Sequence, residues 1–331
     1  MAKDKRTEEL LKKLEEGVEA FMTSDRFKDY LRTMAKFTNY SINNQILIAM
    51  QRPDATCCAG YRAWQTKFGR QVKKGEKAIY ILAPVTVKYK ETVPVKDRPD
   101  EYEEVEVKML RFKATAVFDA SQTEGKELPQ LQIHESDGEI EHYEEILSAI
   151  IKAADLPIEF KEIKTGALGY YVPKEHRIVI DKDLNQMDTI KVLLHEVCHS
   201  ICHNKKAMEE EKKSTTRKEL EAEGSAFVLF SKLGLDFDFE SNGSSFDYVG
   251  IWSSRTDKKE FYESMETIRN TVDVLYKAII KELPKELVPA VDIGEDAGSL
   301  DLEENVEHTE IMAEKQERSR HFGSKSRTKA K

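Results

Sequence analysis

Cysteine is scarce in this chain: four residues in 331. Cys57 and Cys58 adjoin, and Cys198 and Cys202 fall four apart, so no disulfide framework can be drawn and a reduced, cytoplasmic protein is expected. Long apolar runs are missing as well. Nothing approaches the roughly 20 residues a membrane span needs, so no membrane partner is expected. Nothing near Met1 resembles a signal peptide, because Lys3, Asp4, Lys5 and Arg6 follow at once. There is no internal repeat. Nor is there an excess of positive charge: the net of −9 argues by itself against a nucleic-acid partner. The distribution argues otherwise. Residues 1–120 hold 23 Lys+Arg against 18 Asp+Glu, a net of +5, and the remainder holds 29 against 43, a net of −14. A basic front and an acidic rear suggest two different jobs.

Periodicity predicts an α+β chain of two domains. Leu10, Leu11, Leu14, Val18 and Phe21 line one face of a first helix, and a second spans Asp25 to about Thr38. Ser41 caps a third, Ile42 to about Gln51, which Arg52-Pro53 ends. Tyr61 to Gln65 reads as a helical turn. Alternation at Ile79, Ile81, Val85, Val87 and Tyr89, answered by Val105, Val107 and Met109, predicts a long antiparallel hairpin. The expected layout is a mixed α+β domain over 1–120, a polar linker over 121–139 and a second domain over 140–289. A disordered tail over 290–331 follows, since residues 286–314 hold no Lys or Arg and residues 315–331 hold seven.

What is present in the rear half is chemistry. His195-Glu196-Val197-Cys198-His199 lies in a segment whose Ile190, Leu193, Leu194, Val197 and Ile201 make a helical stripe, with Asp188 as the expected N-cap. Two histidines four apart share one helix face and can bind one metal ion, while Glu196 stands where a general base is needed. Zn2+ at such a site takes three protein ligands and acidifies a water in the fourth position. The third ligand is expected in Glu219-Leu220-Glu221-Ala222-Glu223. Glu219 and Glu223 share an apolar face with Ala222, Ala226 and Phe227, where carboxylates are costly unless paired or metal-bound. Glu221 points the other way and is expected in solvent. The segment resembles that of the zincins whose third ligand is a glutamate. That resemblance makes Glu219 the ligand and Glu223 a partner orienting a histidine, with the reverse order left open.

Cys198, Cys202 and His203 could suggest a structural zinc site, but no second cysteine pair supports it. Cys198 reads as a small buried hydrophobe and His203 as a residue suited to the helix end. Upstream, Gly166 to Pro173 and Arg177 to Asp181 read as two strands, either an ordinary hairpin or an edge strand offered to an extended peptide. Tyr170, Tyr171, His176 and Tyr248 are candidate oxyanion donors, none preferred.

In the front half, Arg62, Lys67, Arg70, Lys73, Lys74 and Lys77 cluster against a single Glu76, with Tyr61, Trp64 and Phe68 interleaved. Cations neutralise phosphates and aromatics stack on unpaired bases, so Tyr61 and the six cations are candidate DNA-binding residues. The alternative is a solvated lysine face over a core containing Trp64 and Phe68. Tyr40-Ser41, Asn44, Tyr61, Trp64, Gly69-Arg70, Val72-Lys73-Lys74-Gly75-Glu76-Lys77 and Pro84 resemble the N-terminal domain of ArdC-type antirestriction proteins, as do Phe118-Asp119 and Gln122-Thr123-Glu124-Gly125. The likeness covers about residues 10–280.

The resemblance implies an N-terminal domain that binds single-stranded DNA, a zincin-like metallopeptidase domain, and a role in protecting the incoming DNA of mobile elements from restriction. Cys198 inside the motif and the acidic-then-basic tail depart from it. The expected function is therefore a single-stranded-DNA-binding, zinc-dependent metallopeptidase acting on an unknown protein or peptide substrate. A DNA-shielding protein with a structural metal and a regulatory peptidase cleaving one repressor are the alternatives.

Overall fold

The structure, a computed structural model, describes residues 5–22, 24–95, 98–128, 135–136, 139–204, 212–235 and 256–288. Tyr248 and the tail from residue 290 lie outside these residues.

Three helices open the chain: α1 (Lys5–Phe21), α2 (Ser24–Lys36) and α3 (Ile42–Gln51). α1 buries Leu10, Leu14, Val18 and Phe21 of the stripe its spacing predicts, while Leu11, a residue round the helix from Leu10, is exposed. α3 starts where the Ser41 hydroxyl accepts the Asn44 N–H, as expected. Two of its amide side chains then act like a neighbouring strand. Asn44 accepts from Leu82 N at 2.9 Å and donates to Leu82 O at 3.1 Å, and Gln51 bonds Tyr80 N at 3.0 Å and Tyr80 O at 2.8 Å. Buried backbone groups need such partners. These two amides fasten the root of the next strand to α3.

That strand, β3 (Ile79–Val95), pairs antiparallel with β4 (Arg98–Asp119). Before it come β1 (Cys58–Ala59), α4 (Tyr61–Thr66) and β2 (Arg70–Val72). Val87 lies opposite Met109 and Tyr89 opposite Val107, so the long hairpin has the expected partners. β1 adds to β4, giving the order β1-β4-β3.

The segment expected to be linker from residue 121 is folded at its start. Asp119 caps a 3-10 turn, Ala120–Gln122, and accepts N–H bonds from Thr56, Cys57 and Ser121. Burial pushes its carboxyl pKa up, but the bonds from Ser121, Cys57 and Thr56 outweigh that and leave it below the usual value. β5 (Thr123–Gly125) then pairs with β2. Gly125, at φ +135°, allows this pairing, because a Cβ there would sit 2.7 Å from the Gly69 carbonyl oxygen. Sequence patterning saw polar residues here; polarity served hydrogen bonding rather than flexibility.

After β6 (Glu135–Ser136) and β7 (Glu139–Ile140) come α5 (Tyr143–Ala154), β8 (Ile158–Lys161), β9 (Gly169–Val172) and β10 (Arg177–Asp181). The last three form a sheet in the order β8-β10-β9, which leaves β9 on an edge. Among the described residues three helices follow: α6 (Gln186–Cys202), α7 (Thr215–Lys232) and α8 (Lys258–Glu282). Asn185 rather than Asp188 caps α6, its side chain accepting Asp188 N, because the helix begins a turn earlier than the apolar stripe does. No helix among the described residues is long and apolar enough to cross a membrane.

α7 packs against α6, α8 and, from the front half, α2. One apolar core consequently holds Leu14, Phe27 and Leu31 together with Leu194, Val197, Phe227 and Ile268. All described residues belong to one compact unit within Met1–Ala297, so the boundary expected at 121–139 does not divide the core. Burying each such Leu, Ile or Phe contributes about 1.5–3 kcal/mol.

Candidate metal centre and nucleic-acid interface

α6 presents His195 and His199 on one face, and α7 brings Glu219 opposite them. The two Nε2 atoms are 3.0 Å apart, and Glu219 Oε2 lies 3.7 Å from His195 Nε2 and 3.4 Å from His199 Nε2. Among the described residues this is the group of His, Cys, Asp and Glu whose ligand atoms converge, all within 4.8 Å. Ligands about 2.0–2.2 Å from one tetrahedral ion stand roughly 3.3–3.6 Å from one another, and shifts of a few tenths of an ångström in these side chains would bring all three distances into that range. Glu219 keeps 32% of its side chain exposed, which leaves an approach from solvent.

Hydrogen bonding behind the rings says which atoms face the centre. His195 Nδ1 lies 2.8 Å from Glu223 Oε2, so Nδ1 carries the proton and Nε2 offers a lone pair. His199 Nδ1 lies 3.0 Å from His203 Nδ1, and His203 Nε2 lies 3.1 Å from Glu221 Oε2. Burial depresses the His203 pKa, the direction that favours a neutral ring. Its Nε2–H donates to Glu221, its bare Nδ1 accepts from His199, and His199 Nε2 is bare too. Two nitrogen lone pairs and a carboxylate therefore meet, an arrangement that requires a cation between them. Without a metal, a proton serves. Burial lowers the His195 pKa, but Glu219 and Glu223 overcome that and raise it to about 10. Hydrogen bonding to His195 and His199 holds Glu219 well below the usual carboxylate range.

Glu196 lies beside the centre, its Oε2 accepting Tyr171 N of β9 at 2.7 Å. Burial raises its pKa, the direction a general base near neutrality needs. β9 comes this close to α6 because Gly169 lacks a side chain: a Cβ there would meet Val192 Cγ1 at 2.5 Å. Of the oxyanion candidates, Tyr171 and His176 bond each other, hydroxyl to Nδ1, at 2.8 Å, and Tyr170 is exposed.

The basic cluster divides. Tyr61, Arg62, Lys67, Lys74 and Lys77 are exposed, as a nucleic-acid surface requires. Arg70 instead spends its guanidinium on Thr123 Oγ1 at 2.7 Å, Thr123 O at 3.0 Å and Lys126 O, and Lys73 Nζ donates to Ser121 O at 3.1 Å. These two clamp β2 to the β5 segment. Trp64 and Phe68 are buried, their tilted rings 5.0 Å apart between centres, so Tyr61 is the exposed aromatic of this cluster.

Residues 2–118 match the family described as the N-terminal domain of anti-restriction factor ArdC. The likeness covers the front third of the chain. A Bacillus anthracis protein named uncharacterized protein pXO2-81 is 28% identical over 284 residues, 76% of this chain and 47% of its own length. The ArdC-like chain thus spans about half the length of that curated relative. Two crystal structures of the antirestriction ArdC protein from plasmid R388 also align. The metal-free form does so at 20% identity and a TM-score of 0.45, covering 74% of this chain and 87% of that one. The Mn(II)-bound form gives 21% and 0.46, covering 75% and 91%.

In this ArdC-like chain two expectations about the site are corrected. Glu221 is fully buried, not solvated, and bonds Arg217 Nε and Lys213 Nζ, each at 2.8 Å. His203 is not a bystander at the helix end but the hydrogen-bond partner of His199. Signals for both were present: His203 continues the 195–199 face by another four residues, and Arg217 precedes Glu221 by four.

Proposed function

We propose that this ArdC-like chain is an antirestriction-type protein that holds single-stranded DNA on its Arg62–Lys77 face and hydrolyses peptide bonds at a Zn2+ site. The observation that carries the peptidase half is the convergence of His195, His199 and Glu219 with Glu196 alongside. Two imidazoles and one carboxylate suit Zn2+. When bound, the ion supplies Lewis acidity, polarising a peptide carbonyl and bringing the pKa of water near 7. The rest is done by the chain. Tyr171 N pins Glu196 Oε2, leaving Oε1 to take a proton and return it to the departing amine. Glu223 keeps His195 in the tautomer that offers Nε2. Edge strand β9, ending the sheet beside α6, gives an extended substrate a backbone to pair with.

Metal analysis of the purified protein is expected to find about one divalent ion per chain, and His199→Ala is expected to lose it. An equal metal content in both proteins removes the site as drawn.

For the DNA half, binding of a labelled single-stranded oligonucleotide should weaken linearly in log–log salt. The Arg62→Ala, Lys74→Ala, Lys77→Ala triple variant should lower that slope by about 2, since each phosphate contact on a single strand contributes roughly 0.7. Tyr61→Ala should cost a further 1–3 kcal/mol or so from lost stacking. A slope the triple variant leaves unchanged places the DNA elsewhere.

A further inference from the structure

The two histidines of the proposed metal centre are backed by unlike partners. Behind His195 stands a carboxylate, Glu223. Behind His199 stands another imidazole, His203, tied to a buried cluster centred on Glu221. Glu221 has both oxygens engaged: Oε2 accepts from Lys213 Nζ at 2.8 Å and His203 Nε2 at 3.1 Å, and Oε1 accepts from Arg217 Nε at 2.8 Å and Ser264 Oγ at 3.2 Å. Arg217 stays charged in any protein environment, so it holds Glu221 as an acceptor. An acceptor at Glu221 requires the proton on His203 Nε2. That leaves His203 Nδ1 bare, which in turn requires the proton on His199 Nδ1 and directs the His199 Nε2 lone pair to the centre.

We propose that His203 is a positioning residue for the metal site: it relays the fixed polarity of the Arg217–Glu221 pair into the tautomer of His199. This rests on His195, His199 and Glu219 holding a metal. The relay has a consequence for the ion. Glu223 places a carboxylate directly behind His195, whereas an imidazole stands behind His199 and the Glu221 carboxylate beyond it is balanced by Arg217 and Lys213. The centre thus receives one strongly and one weakly donating imidazole, which leaves it more Lewis-acidic than two carboxylate-backed rings would.

The test compares His203→Leu, which removes the acceptor, with His203→Asn, whose Oδ1 can stand where the imidazole Nδ1 stood. Zn2+ affinity is measured at fixed pH against a chromogenic chelator, and the melting of each chelator-treated protein is recorded beside it. His203→Leu should bind Zn2+ about 10–100-fold more weakly than wild type, and His203→Asn within roughly threefold of it. Wild-type affinity in His203→Leu, or equal losses in both variants, overturns the relay. A wild-type protein that takes up no Zn2+ overturns the metal-site reading first and this one with it, so the two failures are told apart. Should His203→Leu not fold, imidazole-nitrogen NMR of the zinc-loaded wild type decides. A protonated Nδ1 on His199 supports the relay, and a bare one overturns it.

Discussion

A Glu196→Gln protein is expected to bind metal like the wild type and to hydrolyse peptides about 10²–10⁴-fold more slowly, the usual contribution of a positioned general base. The reason lies in how little the substitution disturbs. Glutamine keeps an oxygen to accept the Tyr171 N–H, so the link between β9 and α6 survives. Glu196 makes no contribution to the donor set of His195, His199 and Glu219. What disappears is the ability to take a proton. Hydrolysis of a peptide library at fixed Zn2+, with metal content measured on the same samples, reads both halves. Undiminished cleavage removes Glu196 from the mechanism. The same variant sorts the biological readings: full protection of DNA against restriction in cells, with peptidase activity gone, favours shielding by DNA binding alone. Accumulation of one partner protein favours a regulatory peptidase.

A second large effect is expected at Glu221. Glu221→Leu leaves Arg217, Lys213 and His203 buried around an apolar side chain, and breaking a buried ion pair from one side costs about 3–5 kcal/mol. For a unit of this size that is a fall in melting temperature of roughly 6–20 °C. Thermal melts in the presence of a chelator keep metal loss out of the comparison. Glu106→Gln is the control. It breaks the Lys88–Glu106 pair, 2.8 Å long but with both side chains more than half exposed, and should cost less than about 1 kcal/mol. Indistinguishable melts for the two variants would show that the Glu221 cluster contributes nothing to stability.

The contrast between these glutamates shows where sequence reasoning stops. Glu221 lies two residues from Glu219 and from Glu223, some 200° around the helix from each, so a helix with one buried face must turn it to water. α7 has no such free side, because α2, α6 and α8 all pack on it. Glu221 meets Lys213 and Arg217 together with His203 and with Ser264 of α8, the last two brought to it only by the packing of these helices. The part Arg70 and Lys73 play in the fold was not legible for a related reason. Their partners, Thr123, Lys126 and Ser121, lie about 50 residues away on a segment whose polar composition looked like linker. A cation's partner across that distance is invisible until β5 is placed on β2.

By itself the sequence determined what depends on a few neighbouring residues. The stripe that makes α6 a helix puts His195 and His199 on one face, Ser41 starts α3, and alternation sets the β3–β4 hairpin, since each rests on the 3.6- or 2-residue repeat. Only the tertiary structure decided which backbone or side chain met them. It chose Glu219 to face the imidazoles and Glu223 to stand behind, drew Tyr171 N to Glu196 past Gly169, and enclosed Glu221 and His203. Those outcomes depend on which helices and strands pack together, and packing is settled by the summed burial of a core shared across the whole unit, which no local repeat encodes.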